Sequence, residues 1–416
     1  MTTSPTTPAP TGFTKYQAFI IAILAILQFT VILDFMILSP LGDTLQKTLH
    51  IEASAYTMVV SAYAISAGIS GLLAAGFADK FDRKKLLLFF YAGFILGTVM
   101  CGLAESYGAL LIARIVTGLF GGVLSSTSYA IITDLFKMDQ RGRVMGFVQM
   151  AFAASQILGI PLGLLLSELF SWHAPFFLIV GFSAAVWVIV LLYMKPVTDH
   201  LKIKNDHNPI QHLIKTLGRR DYQIGFLATT LLATGGFMLM PFGAAFAINN
   251  LHVSNKQLTL MYTITGIVSI IFGPLIGKLS DKVGKYKLFI AGSMYTMVMV
   301  GIYTNLSATP LAVIIGLNSL LFIGVSSRMI ASQALMTAVP DMKDRGAFMS
   351  INASVQQFSG GLAAMLAGAI VIQQKSGFIE NYYVLGSVVI GAMGVSIGFM
   401  YFINQLVKRK LANKNA

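Results

Sequence analysis

Apolar runs of about 20 residues recur from one end of this chain to the other, each long enough to span a hydrocarbon core about 30 Å thick. Read between charged or turn-rich breaks, they give twelve candidate helices: 16–41, 54–78, 86–104, 108–135, 144–170, 174–194, 223–249, 255–279, 288–305, 309–338, 347–372 and 381–406. Composition points the same way. Of 416 residues, 56% are hydrophobic and 11% are charged, whereas a soluble protein carries about 25% charged residues. The expected class is an all-α, polytopic membrane protein.

The placement of charge then orients the chain. With both termini assigned to the cytoplasm, 24 of the 29 Lys and Arg fall on the cytoplasmic side, as the positive-inside rule requires. The opposite loops hold Lys47, Lys256 and Lys375, and Arg114 and Arg328 fall inside spans. The net charge of +13 therefore needs no nucleic-acid partner. The cell's inner (cytoplasmic) membrane is the expected location, and a monomer the expected state. The single cysteine, Cys101, excludes an intrachain disulfide and a Cys-based metal site. No metal or cofactor is expected. The first run is too long for a signal-peptide core and should remain as a helix.

The longest polar stretch of the interior, 195–222, separates a six-helix half at 16–194 from a second at 223–407. Residues 1–15 read as a disordered cytoplasmic tail, and 408–416 as a second tail. Within the linker, PIQHLIKTL has the pattern of a short amphipathic helix on the inner surface. His207 and His212 there read as solvated.

The halves repeat one another. GLLAAGFADKFDRKK at 71–85 parallels GPLIGKLSDKVGKYK at 273–287, with Asp79 opposite Asp281. DQRGRVMGF at 139–147 parallels DMKDRGAFM at 341–349. Two repeated halves are one architecture of secondary transporters, with the substrate site near the midplane between them.

These loop segments resemble the paired loop signature of the major facilitator superfamily. ARIVTGLFGG at 113–122 resembles its fourth-helix signature, and LGIPLG at 158–163 its fifth-helix antiporter motif. LDFMILSP at 33–40 resembles the first-helix motif of proton-linked drug exporters, and SWHAPFF at 171–177 the turn before the sixth helix. Two positions depart from the pattern: Ile160 separates Gly159 from Pro161, and Asp82 stands where the loop usually has Gly. The resemblance implies twelve helices in two six-helix halves, and a proton-coupled exporter of drugs or metabolites. It implies that Asp79, Arg83 and Asp281 brace the cytoplasmic helix ends; a helix amino terminus carries about +0.5 charge for such acids to face. Solvated loop acids are the plainer alternative. Gly118, Gly121 and Gly122 would permit close helix contact, and Gly159, Pro161 and Gly163 a bent fifth helix.

The charges inside the spans carry the functional reading. Asp34 in helix 1 and Arg114 in helix 4 each lie about six to eight residues from the outer helix ends, roughly 10 Å deep. An ionisable group at that depth costs about 2.5–3.5 kcal/mol or more and marks a functional site by default. Burial opposes the Asp34 charge and Arg114 favours it, which suits a proton carrier; a structural ion pair is the alternative. Arg328 has three readings: an ion pair with Asp134, an anchor for an anionic substrate group, or a side chain snorkelling inward. The candidate cavity residues are Gln28, Phe35, Tyr63, Gln149, Gln156, Asn318, Gln333, Asn352, Gln356 and Gln357, each alternatively a helix-packing contact. The absence of a GxxxxGK[ST] loop argues against direct ATP drive. No cluster of His, Asp or Cys within the spans suggests an enzyme. The leading expectation is an antiporter of small molecules and protons working by alternating access in the lipid bilayer. The alternative is a proton-coupled carrier of an anionic metabolite, such as a siderophore or organic acid, in either direction.

Overall fold

The structure is a computed structural model that describes residues 13–74, 77–136, 140, 144–145, 147–148, 150–151, 154–202, 209–341, 344–374 and 376–415. The first run opens at Thr14, whose hydroxyl accepts from Gln17 N at 3.2 Å while the Gln17 side chain accepts from Thr14 N at 3.0 Å. This reciprocal cap satisfies two amide donors that the first turn would otherwise leave bare. Helix α1 runs Lys15–Met36, and after Ile37 the chain continues directly as α2, Leu38–Leu49. Helix 1 therefore overruns its expected end at 41. Within residues 42–49 Gly42, Asp43, Leu45 and Gln46 are buried, while Lys47 and Thr48 are exposed. His50, at φ 52°, stops the helix in the left-handed region.

The remaining N-terminal elements are α3 (Ala53–Ala74), a 3-10 turn at Ala78–Lys80, α4 (Arg83–Gly102), α5 (Tyr107–Leu135), a π-helical turn at Ser155–Gly159, α6 (Ile160–Leu169) and α7 (Ala174–Tyr193). Pro161 sits in the first turn of α6, where a missing amide hydrogen costs nothing. The linker does form a helix, α8 (Pro209–Gly218). The second half holds α9 (Arg220–Asn249), α10 (Asn255–Val283), α11 (Lys285–Tyr303), α12 (Leu311–Met336), α13 (Arg345–Ile370) and α14 (Tyr382–Asn415). Gly284 alone separates α10 from α11, at φ 97°, a conformation that side chains with a Cβ resist. Two corrections fall here. The segment expected as a tail at 408–416 continues α14 as far as Asn415. An antiparallel pair of two-residue strands, β1 (Ile372–Gln373) and β2 (Ile379–Glu380), precedes α14.

Each of the twelve expected runs contains helix among the described residues, though several ends are not helical and Ile372 lies in a strand. Nine segments among the described residues, with α1 and α2 taken as one, are long and apolar enough to cross a membrane. The 19-residue α11, the 26-residue α13 and the interrupted fifth run occupy the other positions.

The termini and the linker share one end of the bundle, here the loop end. Lys195 N donates to Tyr16 Oη at 3.0 Å, and the rings of Phe13 and Phe136 meet at 6.0 Å. Lys410 reaches Val339 O and Asp341 at 2.8 Å each. At the far end His173 Nδ1 lies 3.0 Å from Gly102 O.

The halves meet chiefly along α3 and α13. A Cβ on Gly68 would lie 2.9 Å from Phe358 N and Ser354 O, and Gly361 faces Ser61 and Ile65. Small residues let the two backbones approach in lipid, where packing rather than hydrophobicity drives helix association. Two hydrogen bonds reinforce the seam at the far end: Asn249 Nδ2 donates to Asp43 Oδ1 at 2.8 Å, and Ser39 Oγ donates to Met240 O. Phe35 meets Phe237 at 5.3 Å between ring centres. One apolar cluster spans this seam, joining Met36, Ala53, Ile160 and Leu164 to Phe242, Phe246 and Leu258. Separate clusters fill the N-terminal half and the loop end of the C-terminal half.

Candidate functional site

Asp34 and Arg114 form an ion pair inside the N-terminal half. Arg114 Nη1 lies 2.6 Å from Asp34 Oδ2, and both side chains are 0% exposed. The same nitrogen is 3.3 Å from the Asp34 carbonyl. Thr98 of α4 donates to Asp34 Oδ1 at 3.3 Å. The guanidinium lies 4.4 Å from the centre of the Tyr63 ring, a cation–π contact strengthened by the lack of water. Arg114 Nε and Nη2 have no partner among the described residues.

Local sequence makes this site possible. Gly118, one turn after Arg114, faces Tyr63 O and the Ser66 hydroxyl so closely that a Cβ would collide with α3. Gly97 of α4 meets the α5 backbone at Thr117, where a Cβ would lie 2.7 Å from the amide nitrogen. The three helices are thus drawn in around the charged pair. Seven residues separate Tyr107 from Arg114, so the pair lies about 10 Å below the far end of α5. Measured from Leu49 it lies about 22 Å down, because α2 overhangs.

The other expected site residues divide. Gln28 is buried and accepts from Ser125 Oγ at 3.2 Å, tying α1 to α5. Phe35 is half-buried and touches both Tyr63, at 5.5 Å, and Phe237 of the other half. Tyr63 is buried beneath Arg114. Asn318 and Asn352 are taken by helix packing: Asn318 Nδ2 donates to Thr265 Oγ1 at 2.8 Å, and Asn352 Oδ1 accepts from Thr229 at 2.6 Å. Gln356 and Gln357 are half-buried and Gln333 is exposed. Gln149 lies outside the described residues, as do the side chains of Gln156, Asp79 and Asp281.

Arg328 does not pair with Asp134. Asp134 is taken by Arg83, whose Nε lies 3.0 Å away, and by His200 at 3.3 Å. Arg83 also donates to Ala78 O at 2.9 Å, bracing the turn that carries Asp79. Nor does Arg328 snorkel out: it is 5% exposed. Its Nε donates to Ser293 Oγ at 3.1 Å, and Nη2 is buried without a partner.

Sequence reasoning missed three features. Thr98 carries no signal, being one hydroxyl in an apolar run. Asp82, the departure from the loop pattern, caps α4 by accepting from Lys84 N at 3.0 Å, and accepts from Val197 N at 2.9 Å. In the second half Arg219 Nη1 bridges Asp341 at 2.8 Å and Asp344 at 2.6 Å, with Lys410 on Asp341. The hydrogen bond from Lys410, aided by Arg219, holds the Asp341 carboxyl below its ordinary range.

A paired helical repeat enclosing an ion pair in lipid defines a polytopic transporter fold. The chain belongs to the Major Facilitator Superfamily, whose family model matches residues 24–242 and 225–415. It is 24% identical over 381 residues to the MFS-type transporter YbcL of Bacillus subtilis, covering 91% of this chain and 94% of that one. It is 25% identical over 375 residues to a probable sugar efflux transporter of Helicobacter pylori (strain P12), covering 88% and 89%. A solved bacterial homologue of the human lysosomal transporter Spinster superposes with a TM-score of 0.70 at 16% identity, covering 95% and 97%. The protein is therefore a membrane transporter rather than an enzyme.

Proposed function

We propose that this protein is a proton-coupled antiporter that exports small molecules from the cytoplasm by alternating access. The observation that carries the reading is the Asp34–Arg114 pair, two fully buried charges 2.6 Å apart beside the seam between the halves. An ionised pair in lipid is held only by mutual attraction and a few hydrogen bonds. Protonating Asp34 leaves a neutral acid beside Thr98 and a guanidinium that keeps hydrogen-bond acceptors on Asp34 and the Tyr63 face but loses its counter-charge. That change in local charge can bias which end of the bundle is open, provided the two states solvate Asp34 differently. Phe35 supplies the mechanical link, because it follows Asp34 in sequence and packs on Phe237 across the seam.

In this scheme the far end is held shut by Asp43–Asn249 and Ser39–Met240, and substrate enters from the loop end. Substrate binding favours release of the Asp34 proton, and reprotonation from outside resets the carrier. The protein works as a monomer in the cytoplasmic membrane with both termini inside, as its Lys and Arg distribution favours. The export direction rests on its likeness to a relative named as an efflux transporter.

The test is proton release from the detergent-solubilised protein on adding glucose, ethidium and glucuronate in turn, for wild type beside Asp34→Asn. Release from wild type that vanishes in the variant is the expected result. Equal release from both removes Asp34 from the coupling step.

A further inference from the structure

We propose that Arg328 is the anchor for an anionic group on the transported solute, so that substrates of this protein are organic anions or zwitterions. The proposal deepens the transporter reading and rests on it. Arg328 lies on α12, enclosed by α9, α11 and α14. Among the described residues it enters no ion pair. Its Nε meets one neutral oxygen, Ser293 Oγ, and its Nη2 meets none. The Phe289 ring lies 5.8 Å away, at the limit of a useful cation–π contact. A guanidinium cannot lose its proton in a protein. It therefore stays charged here with far less compensation than Arg114 receives.

The surroundings are close-packed. A Cβ on Gly235 of α9 would sit in van der Waals contact with Met393 at 3.6 Å, Val389 at 3.7 Å and Nη1 at 3.9 Å. Met393 is a side chain that adapts its shape easily, so a solute group reaches the guanidinium by displacing it. Ser293 accepts from Nε, so its own O–H remains available as a second donor to the same anion. A carboxylate or phosphate monoester matches this set, because a guanidinium presents its donors as a planar fork. A neutral solute would leave the charge as poorly met as before.

The test uses full-length protein in nonionic detergent, in buffer free of carboxylate and phosphate. Its thermal midpoint is followed with glucuronate against glucose, benzoate against benzamide, and glycerol phosphate against glycerol. A ligand that binds the native state alone raises the midpoint. The expected result is a rise of about 2–4 °C for at least one anion and none for its neutral counterpart. That rise is lost in Arg328→Met and weakened in Arg328→Lys. Without anions, Arg328→Met unfolds at or above the wild-type temperature, since it removes an unmet charge.

Three results overturn the proposal: no anion moves the wild type, the rise persists in Arg328→Met, or Arg328→Met unfolds early without anions while Arg328→Lys does not. A rise given only by phosphatidylglycerol also overturns it, making the partner a lipid headgroup. No proton release from the wild type, with the anion response intact, would instead overturn the antiport reading alone.

Discussion

Arg114 and Arg328 stand on the fourth helix of their respective halves, and each reaches toward the first and third helices of its half. Arg114 finds Asp34 on the first and Thr98 beside it on the third. Arg328 finds Gly235 on the first and Ser293 on the third. The scaffold is repeated while the chemistry is not. A repeat built to rock needs matched packing surfaces, but its two cavities need not hold the same charge. The N-terminal half carries its own counter-ion, and the C-terminal half leaves one place for a counter-ion to arrive.

The largest effect expected from breaking this contrast is on transport. Asp34→Asn keeps the shape of the side chain and removes its charge and its titration. In proteoliposomes with an imposed proton gradient, uphill movement of substrate should fall to background, while downhill exchange should persist. Uphill transport at the wild-type level would place the proton elsewhere. Stability should follow with opposite signs in the two halves. Arg114→Met strands a buried carboxylate and should cost about 3–5 kcal/mol, read as a lower midpoint in denaturant. The double variant Asp34→Asn/Arg114→Met should cost less than Arg114→Met alone. Gly235→Asp should convert the C-terminal site toward the N-terminal one, raising the thermal midpoint and abolishing the response to added anions.

Much of this contrast could be read before any coordinates. Helices 1 and 4 run in opposite directions, so similar residue counts from their expected outer ends put Asp34 and Arg114 at one depth, and they do touch although α2 carries helix 1 on to Leu49. The twelve runs follow from hydropathy alone. What hydropathy could not supply is rotation about each helix axis. A helix that is apolar on every side gives no hint of which face is inward, so Gln28, Asn318 and Asn352 could not be sorted into cavity or packing. Composition also misplaced helix ends. GDTLQKTL at 42–49 and KRKLANKN at 408–415 are polar overall yet helical; in the first, buried Asp43 is met by Asn249 across the seam. Asp82 looked like a defect in a motif, and it fastens α4 to the linker.

A smaller effect separates two glycines by their surroundings rather than their sequence. Gly118 faces backbone and a buried serine, neither of which can yield, so Gly118→Ala should cost about 1–3 kcal/mol. Gly236, one residue from the Arg328 site, has nothing within 4 Å of its Cβ direction. Gly236→Ala should be neutral, or stabilising by up to about 1 kcal/mol through helix propensity. Thermal midpoints in detergent read both, and equal losses would mean that the α3–α5 seam is not close-packed.

The smallest effect lies at the loop end, where the halves differ again. Asp341 is held by Lys410 and Arg219, so its carboxyl titrates below the ordinary range. Its folded-state affinity for a proton is thus lower than in the unfolded chain. The stabilisation is fully present above the unfolded value of about 3.9 and is lost as pH falls through the lower, folded value. The side chain is 38% exposed, and solvent screening keeps such pairs to about 1 kcal/mol or less. Asp341→Asn should therefore lower the thermal midpoint slightly at neutral pH, with the gap to wild type closing only below about pH 4. A gap unchanged down to pH 3 would mean that Asp341 acts through shape rather than charge. The fastening of α14 to the α12–α13 connection would then depend on the Lys410 bond to the Val339 carbonyl.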